Sequence, residues 1–226
     1  MPPKESDPLK YLPTFWCRET WVAQKYIENP LIVQGRKFDI RVWVLVSSWN
    51  PFQVYYFKNC YIRFTAQDYD PTKIKNLFCH LTNNSVNANA KSKFEKIPGN
   101  MWFLEQFKSY LDSNFEKGIW NSQLLPQLED ICKLSMLSGW GFVDWREGSI
   151  GIYGLDIMID EDFRMWLIEV NKAPCMRYST AVTAKLVPEF MSEMVKVVID
   201  KTKPSEKLKM LVDIPFIEER ECNEKL

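Results

Sequence analysis

Carboxylates, an amide and cations recur at alternate positions in three stretches of this 226-residue sequence, and that spacing decides which of them can act together. The densest stretch runs from Gly154 to Asn171, with Asp156 in its first half and Glu169 and Asn171 in its second. Glu169 and Asn171 share parity, so on a strand both point to one face. Between the halves, Asp160-Glu161-Asp162 reads as a hairpin turn. If Phe163 pairs with Asp160, Asp156 falls opposite Leu167 and Glu169 is its diagonal neighbour on the same face. A slip in that loop alters which face the two carboxylates share. An Asp, a Glu and an Asn carbonyl converging from adjacent strands form a hard-oxygen set suited to Mg²⁺, completed by waters and substrate phosphates. The flanking residues are apolar, so two carboxylates there are costly without a cation. The alternative is structural: Asp156 caps the strand edge and Glu169 pairs with an arginine.

The second stretch is Lys37-Phe38-Asp39-Ile40-Arg41. Period two puts Lys37, Asp39 and Arg41 on one face of an otherwise apolar strand. Two cations around one anion can hold phosphates or a carboxylate through charge-assisted bonds, or can form a solvated face of mutual salt bridges. The third, Tyr61-Ile62-Arg63-Phe64, carries one cation in an aromatic strand and by itself selects neither reading.

These side chains need elements to position them. Trp21 to Ile27 reads as a short strand ended by the turn signal Glu28-Asn29-Pro30. Lys37 to Val46 alternates at first and then becomes apolar on both faces, the pattern of a strand with charges aimed to one side at its start. Trp49-Asn50-Pro51 turns the chain. Val54 to Phe64 is a strand pair or one long strand broken near Lys58-Asn59, and Gln67 to Gly99 is a polar loop with little regular structure. Phe103, Phe107 and Leu111, then Leu124, Leu128, Ile131 and Leu134, recur at helical spacing, the second helix carrying Pro126 in its first turn. Tyr153 to Ile159 and Arg164 to Val170 form the hairpin. Thr183 to Ile199 is a helix with Leu186, Phe190, Met194 and Val197 on its apolar face. The last twenty-odd residues are charged and read as a tail or docking segment.

Composition excludes several classes. Apolar residues are 46% and aromatics 14%, too many for a disordered chain. Lys+Arg and Asp+Glu balance at 29 each, so bulk charge marks neither a nucleic-acid nor a membrane-surface protein. No apolar signal core or membrane-length run occurs. The six cysteines are scattered without zinc or C-x-x-C spacing, which indicates a reduced cytosolic protein. The single histidine, His80, has no nucleophile motif beside it, so triad and multi-histidine metal chemistry are poor fits. Eight glycines, none adjacent, rule out a glycine-rich phosphate loop within the chain.

Five landmarks in one order carry a resemblance. They are Gln24-Lys25-Tyr26-Ile27-Glu28, Lys37 to Arg41, Tyr61 to Phe64, His80-Leu81-Thr82-Asn83-Asn84, and Tyr153-Gly154-Leu155-Asp156 with Trp166 to Asn171. Together they resemble the tubulin tyrosine ligase-like family, from about Trp21 to Asp200. The resemblance implies an α/β (α+β) ATP-grasp fold, a mainly antiparallel sheet packed with helices. It divides the chain into a polar segment at 1–20, a catalytic region at 21–200 and a charged tail at 201–226. Asn100-Met101-Trp102, Ser179 to Leu186 and Val197 to Asp200 look most like the glycine-ligase branch, with the glutamate ligases as the alternative.

The chemistry so implied is ATP-dependent. ATP phosphorylates the γ-carboxylate of a glutamate in a tubulin tail, and the amine of free glycine attacks the acyl phosphate to form an isopeptide bond. The resemblance assigns Mg²⁺ to Asp156, Glu169 and Asn171, and the adenine clasp to Gln24, Lys25, Tyr26 and Ile27. Further nucleotide contacts fall to Lys37, Asp39, Thr82 and Asn83. Arg41 meets the phosphates or acyl phosphate, and Arg63, with Lys185, holds the incoming amino acid's carboxylate. It also implies a monomer of the cytoplasm, cytoskeleton and cilium that binds tubulin tails or microtubules, but neither nucleic acid nor membrane. Lys73, Lys75, Lys91, Lys93 and Lys96 offer a basic face for acidic tails, or a solvated loop. Family members carry a lysine-proline strand and a Gly/Arg phosphate loop upstream, and Met1 to Thr20 contains neither. The expectation is therefore a sheet incomplete on its N-terminal side: either part of an active ligase or a reduced, non-catalytic relative that binds tubulin.

Overall fold

The apolar run that follows Lys37 forms the central strand of the sheet. The computed structural model describes residues 22–87, 90, 97–144 and 146–216. Along the chain come strands β1 (Phe38–Trp49), β2 (Phe52–Phe57) and β3 (Tyr61–Phe64), and short helices α1 (Leu77–His80) and α2 (Asn84–Asn87). Then follow β4 (Met101–Phe103), α3 (Leu104–Asn114), α4 (Leu125–Trp140), β5 (Gly151–Ile159), β6 (Met165–Asn171), α5 (Ala181–Val198) and β7 (Leu208–Ile214). The result is a mixed α/β fold whose strand pairings are antiparallel.

One edge of β1 pairs with β3 over Phe38–Arg41 and with β2 over Val44–Trp49; the other pairs with β5 over Ile40–Val46. β6 lies outside β5, β4 outside β3 and β7 outside β2. Strand parity then sorts the residues. Phe38, Ile40, Val42, Val44 and Val46 are buried against Phe107 and Leu111 of α3 and Leu128 and Cys132 of α4. Trp43 and Leu45, on the opposite face, pack with Leu186, Val187 and Phe190 of α5. That second apolar cluster begins at Trp43 and Tyr61, and on the same face the preceding positions are Lys37, Asp39, Arg41 and Arg63. The charged end of the face is where a site can form.

The capping chemistry fits these elements. The Thr180 side chain accepts from the Thr183 backbone N–H at the start of α5, satisfying a donor that the helix itself leaves free. Pro126 sits in the first turn of α4, where its missing N–H is not needed. No helix among the described residues is long and apolar enough to cross a membrane.

Two expectations are corrected. The strand read at Trp21–Ile27 does not form over 22–27; pairing starts with an isolated bridge between Pro30 and Asp160. Val22 to Tyr26 are exposed, so alternation there reflected a crossing segment and not an edge strand. The charged tail read at 201–226 contains β7, which pairs with β2 over Phe52–Phe57. An open β2 edge presents unpaired backbone groups, and Leu208 and Val212 are apolar enough to be buried on it. Lys209 is anchored to Glu129, which also accepts from the Tyr56 hydroxyl. The 1–20 segment and residues 217–226 lie outside the described residues.

Candidate functional site

The carboxylate hairpin acquires its geometry from a bulge. Its turn closes with Asp160 N–H donating to the Arg164 carbonyl and Phe163 N–H to the Asp160 carbonyl, one residue wider than expected. Ile159 pairs with Met165, Met158 with Trp166 and Ile157 with Leu167. Continued regularly, this ladder would set Asp156 against Ile168. A register shift follows instead, Ile168 is passed over, and Asp156 pairs directly with Glu169 and Gly154 with Asn171. The expected Asp156–Leu167 pairing is thereby corrected. Glu169 shares parity with Met165 and Leu167, which pack into the α3–α4 core, yet the extra residue carries it to the opposite face. The carbonyl of Ile168 accepts from Gln24 Nε2 at 3.2 Å.

Beneath that pair lies a buried ladder of charges. Asp156 accepts a bidentate pair from Arg41, through Nε and through Nη2 at 3.0 Å. Arg63 Nη2 reaches the same carboxylate at 2.8 Å. Arg63 also clamps Asp39, Nε at 2.7 Å and Nη2 at 2.6 Å, and the Thr82 hydroxyl donates to Asp39 as well. All five side chains are buried. Alternation along β1 and β3 explains the convergence, because Asp39 faces Arg63 and Arg41 faces both Tyr61 and Asp156 in register. Burial works against the Arg63 charge, but Asp39 and then Asp156 hold its pKa above the ordinary value. Burial likewise pushes Asp156 up, and the two arginines more than offset it, leaving that carboxyl below its usual range. Glu169 moves the other way, raised chiefly by sharing a hydrogen bond with Asp156.

Gly154 is required for this packing. An added Cβ would stand 2.8 Å from Pro174 Cβ and 3.1 Å from Arg41 Nη1, so Arg41 lies flat over β5 only because the position is bare. Gly154→Ala is expected to destabilise the fold by about 1–3 kcal/mol through overpacking, measured as a lower urea midpoint at an unchanged slope.

Above the ladder opens a cavity of about 370 Å³. Gln24, Lys25, Tyr26 and Ile27 form one wall; Lys37, Asp39, Thr82, Asn83, Asp156 and Glu169 are on the others. Ten of the predicted site residues therefore meet at one space. Lys37 is buried there, and burial lowers its pKa. Asn171 does not line the cavity but donates from Nδ2 to Glu169 at 2.9 Å. Arg41 and Arg63 lie behind the wall, committed to carboxylates. Lys185 is exposed on α5, its ammonium 5.3 Å from the Phe103 ring centre and outside the cavity lining. Of the basic cluster, Lys73 pairs with Asp70, Lys75 is exposed, and Lys91, Lys93 and Lys96 lie outside the described residues.

A divalent cation suits the donor chemistry at this wall. Asp156 and Glu169 face each other across one register pair, and the hydrogen bond they share raises Glu169. The amide of Asn171 adds a neutral oxygen, and among the described residues, this wall included, no three His, Cys, Asp or Glu side chains cluster as a metal site. Sequence reasoning missed Tyr26, His80 and Lys37 as a joined chain of hydrogen bonds. Their partners lie 54 and 11 residues apart, and only the shared cavity could have signalled it.

The profile of the tubulin-tyrosine ligase family matches residues 8–206. Tubulin glycylase 3C of Tetrahymena thermophila is 44% identical over 184 residues, covering 80% of this chain and 17% of the relative. Protein monoglycylase TTLL8 of Mus musculus is 37% identical over 185 residues, 80% of this chain and 22% of the relative. Tubulin monoglycylase TTLL3 of Homo sapiens is 38% identical over 187 residues, 80% and 24%. The chain thus spans about a fifth of the length of the curated relatives it matches.

Proposed function

The chain belongs to the tubulin-tyrosine ligase family, and from that premise we propose that it is the cavity-bearing part of an ATP-dependent ligase. The reaction joins glycine to glutamate γ-carboxylates of tubulin tails. The observation that carries the reading is the single cavity shared by the 24–27 segment, Lys37 and the Asp156–Glu169 pair. Glycine is preferred over glutamate because the relatives at 37–44% identity are named glycylases. The ligase region is taken as 21–200, with β7 extending its sheet. The protein acts as a monomer on tubulin in the cytoplasm, on the cytoskeleton and in cilia.

In this reading the 24–27 segment holds the adenine and Lys37 and Asn83 face the phosphates. Asp156, Glu169 and Asn171 hold Mg²⁺, which supplies neutralisation of phosphate charge. The γ-phosphoryl group passes to the acceptor carboxylate, ADP leaves, and the glycine amine displaces phosphate from the acyl carbon, losing a proton. Arg41, bonded to Asp156 behind the cavity wall, is assigned to the phosphates or the acyl phosphate. Asp39 and Thr82, which line the same cavity, complete the nucleotide contacts, with Asp39 also clamped by Arg63 and bonded by the Thr82 hydroxyl. Arg63 and Lys185 receive the glycine carboxylate; for Arg63 this means sharing its fork with Asp39.

Labelled glycine, Mg-ATP and tubulin test this. Label should enter tubulin with release of ADP, and unlabelled glycine should compete far better than glutamate. Release of AMP would exclude acyl-phosphate chemistry. ATP-independent sedimentation with microtubules, without incorporation, would replace the ligase by a tubulin-binding module.

A further inference from the structure

His80 stands at the cavity rim with both ring nitrogens engaged. Nε2 lies 3.1 Å from the Lys73 carbonyl and Nδ1 lies 2.9 Å from the Tyr26 hydroxyl. A carbonyl only accepts, so Nε2 carries a proton, and in the singly protonated ring Nδ1 accepts from Tyr26. The Tyr26 oxygen in turn accepts from Lys37 Nζ at 2.9 Å, and that ammonium also lies 4.4 Å from the centre of the Tyr26 ring. The bonds therefore run in one direction, from Lys37 to Tyr26 to His80 to the Lys73 backbone. The imidazole is held edge-on between two rings, 6.1 Å from Tyr26 and 5.7 Å from Tyr69. Tyr26 is otherwise half exposed on a segment with no strand partners. Gln24 bonds the Ile168 carbonyl at 3.2 Å, and Tyr69 also stands within hydrogen-bonding reach of the Tyr26 hydroxyl.

We propose that His80 is a positioning residue that latches the Gln24–Ile27 segment across the cavity through the Tyr26 hydroxyl, and thereby sets where the Lys37 ammonium stands. The latch is a property of the ligand-free chain, while its consequence for affinity rests on the nucleotide reading above. Loss of either side chain breaks the same hydrogen-bonded chain, so the two losses are not additive.

Because the chain has one histidine, its imidazole gives one set of resonances. Long-range ¹H–¹⁵N spectra at about pH 8, where an ordinary imidazole is neutral, should report an Nε2–H tautomer whose Nδ1 resonance shifts in Tyr26→Phe as its hydrogen bond is lost. An Nδ1–H tautomer, or no response to Tyr26→Phe, overturns the latch. Calorimetric titration with Mg-ATP gives the second arm. Tyr26→Phe and His80→Ala should each weaken binding about three- to tenfold, the range of one lost hydrogen bond, and the double variant no further. KM for ATP should rise in the His80→Ala protein. Additive losses overturn the proposal. Wild type that fails to bind Mg-ATP overturns the nucleotide reading, while the tautomer measurement still decides the latch.

Discussion

Arg63→Met is expected to lower the unfolding free energy by about 3–5 kcal/mol, the range for removing one partner of a buried ion pair. At this chain length each kcal/mol moves the thermal midpoint by about 2–4 °C, so the shift is easily measured. Arg63 neutralises Asp39 and contributes to Asp156 at once, through bonds of 2.6–2.8 Å. Methionine fills much of the same volume but leaves the buried Asp39 carboxylate with the Thr82 hydroxyl alone from the ladder. Adding Asp39→Leu should restore most of the loss, since an apolar pair of similar volume replaces a buried ion pair at little net cost. A double variant no more stable than Arg63→Met would refute the account. The ladder also sets the acid limb. The folded-state pKa of Asp156 is depressed, so its contribution is present above the unfolded value of about 3.9 and disappears as pH falls through the depressed one. Arg63→Met should flatten that limb in urea unfolding followed against pH.

Glu169→Gln should reduce the proposed glycine transfer by about 10²–10³-fold, the scale seen when one group that stabilises transition-state charge is removed. The fold should survive, because Glu169 is exposed and its replacement relieves a carboxylate contact with Asp156. Two carboxylates across one register pair attract a divalent cation; a carboxylate and an amide do so much less. The thermal midpoint of the wild type should therefore rise with Mg²⁺, and that of Glu169→Gln should not. An unchanged Mg²⁺ response in the variant would remove Glu169 from the metal site and leave the hairpin with a structural role.

Much of the architecture was readable in residue order. The alternation around Lys37, Asp39 and Arg41 does place them on one face, and the hairpin, α3, α4 and α5 form where periodicity indicated. What failed was local reading of exposed or charged segments. Residues 22–27 alternate without being a strand, and β7 is a strand within a charged stretch because β2 offered it an edge.

For the site, side-chain types and period two put Lys37, Asp39 and Arg41 on one strand face and set Asp156 near Glu169, while only the family resemblance brought the two groups together. Tertiary structure decided what each of them touches. Arg63 faces Asp39 and Asp156, residues 24 and 93 positions away, so its fork is filled by partners that no local pattern reveals. Glu169 reaches the cavity only because Ile168 is extruded from the ladder. A bulge is chosen by competition among packing, turn width and hydrogen bonding across two strands, and none of these is written in the parity of one of them.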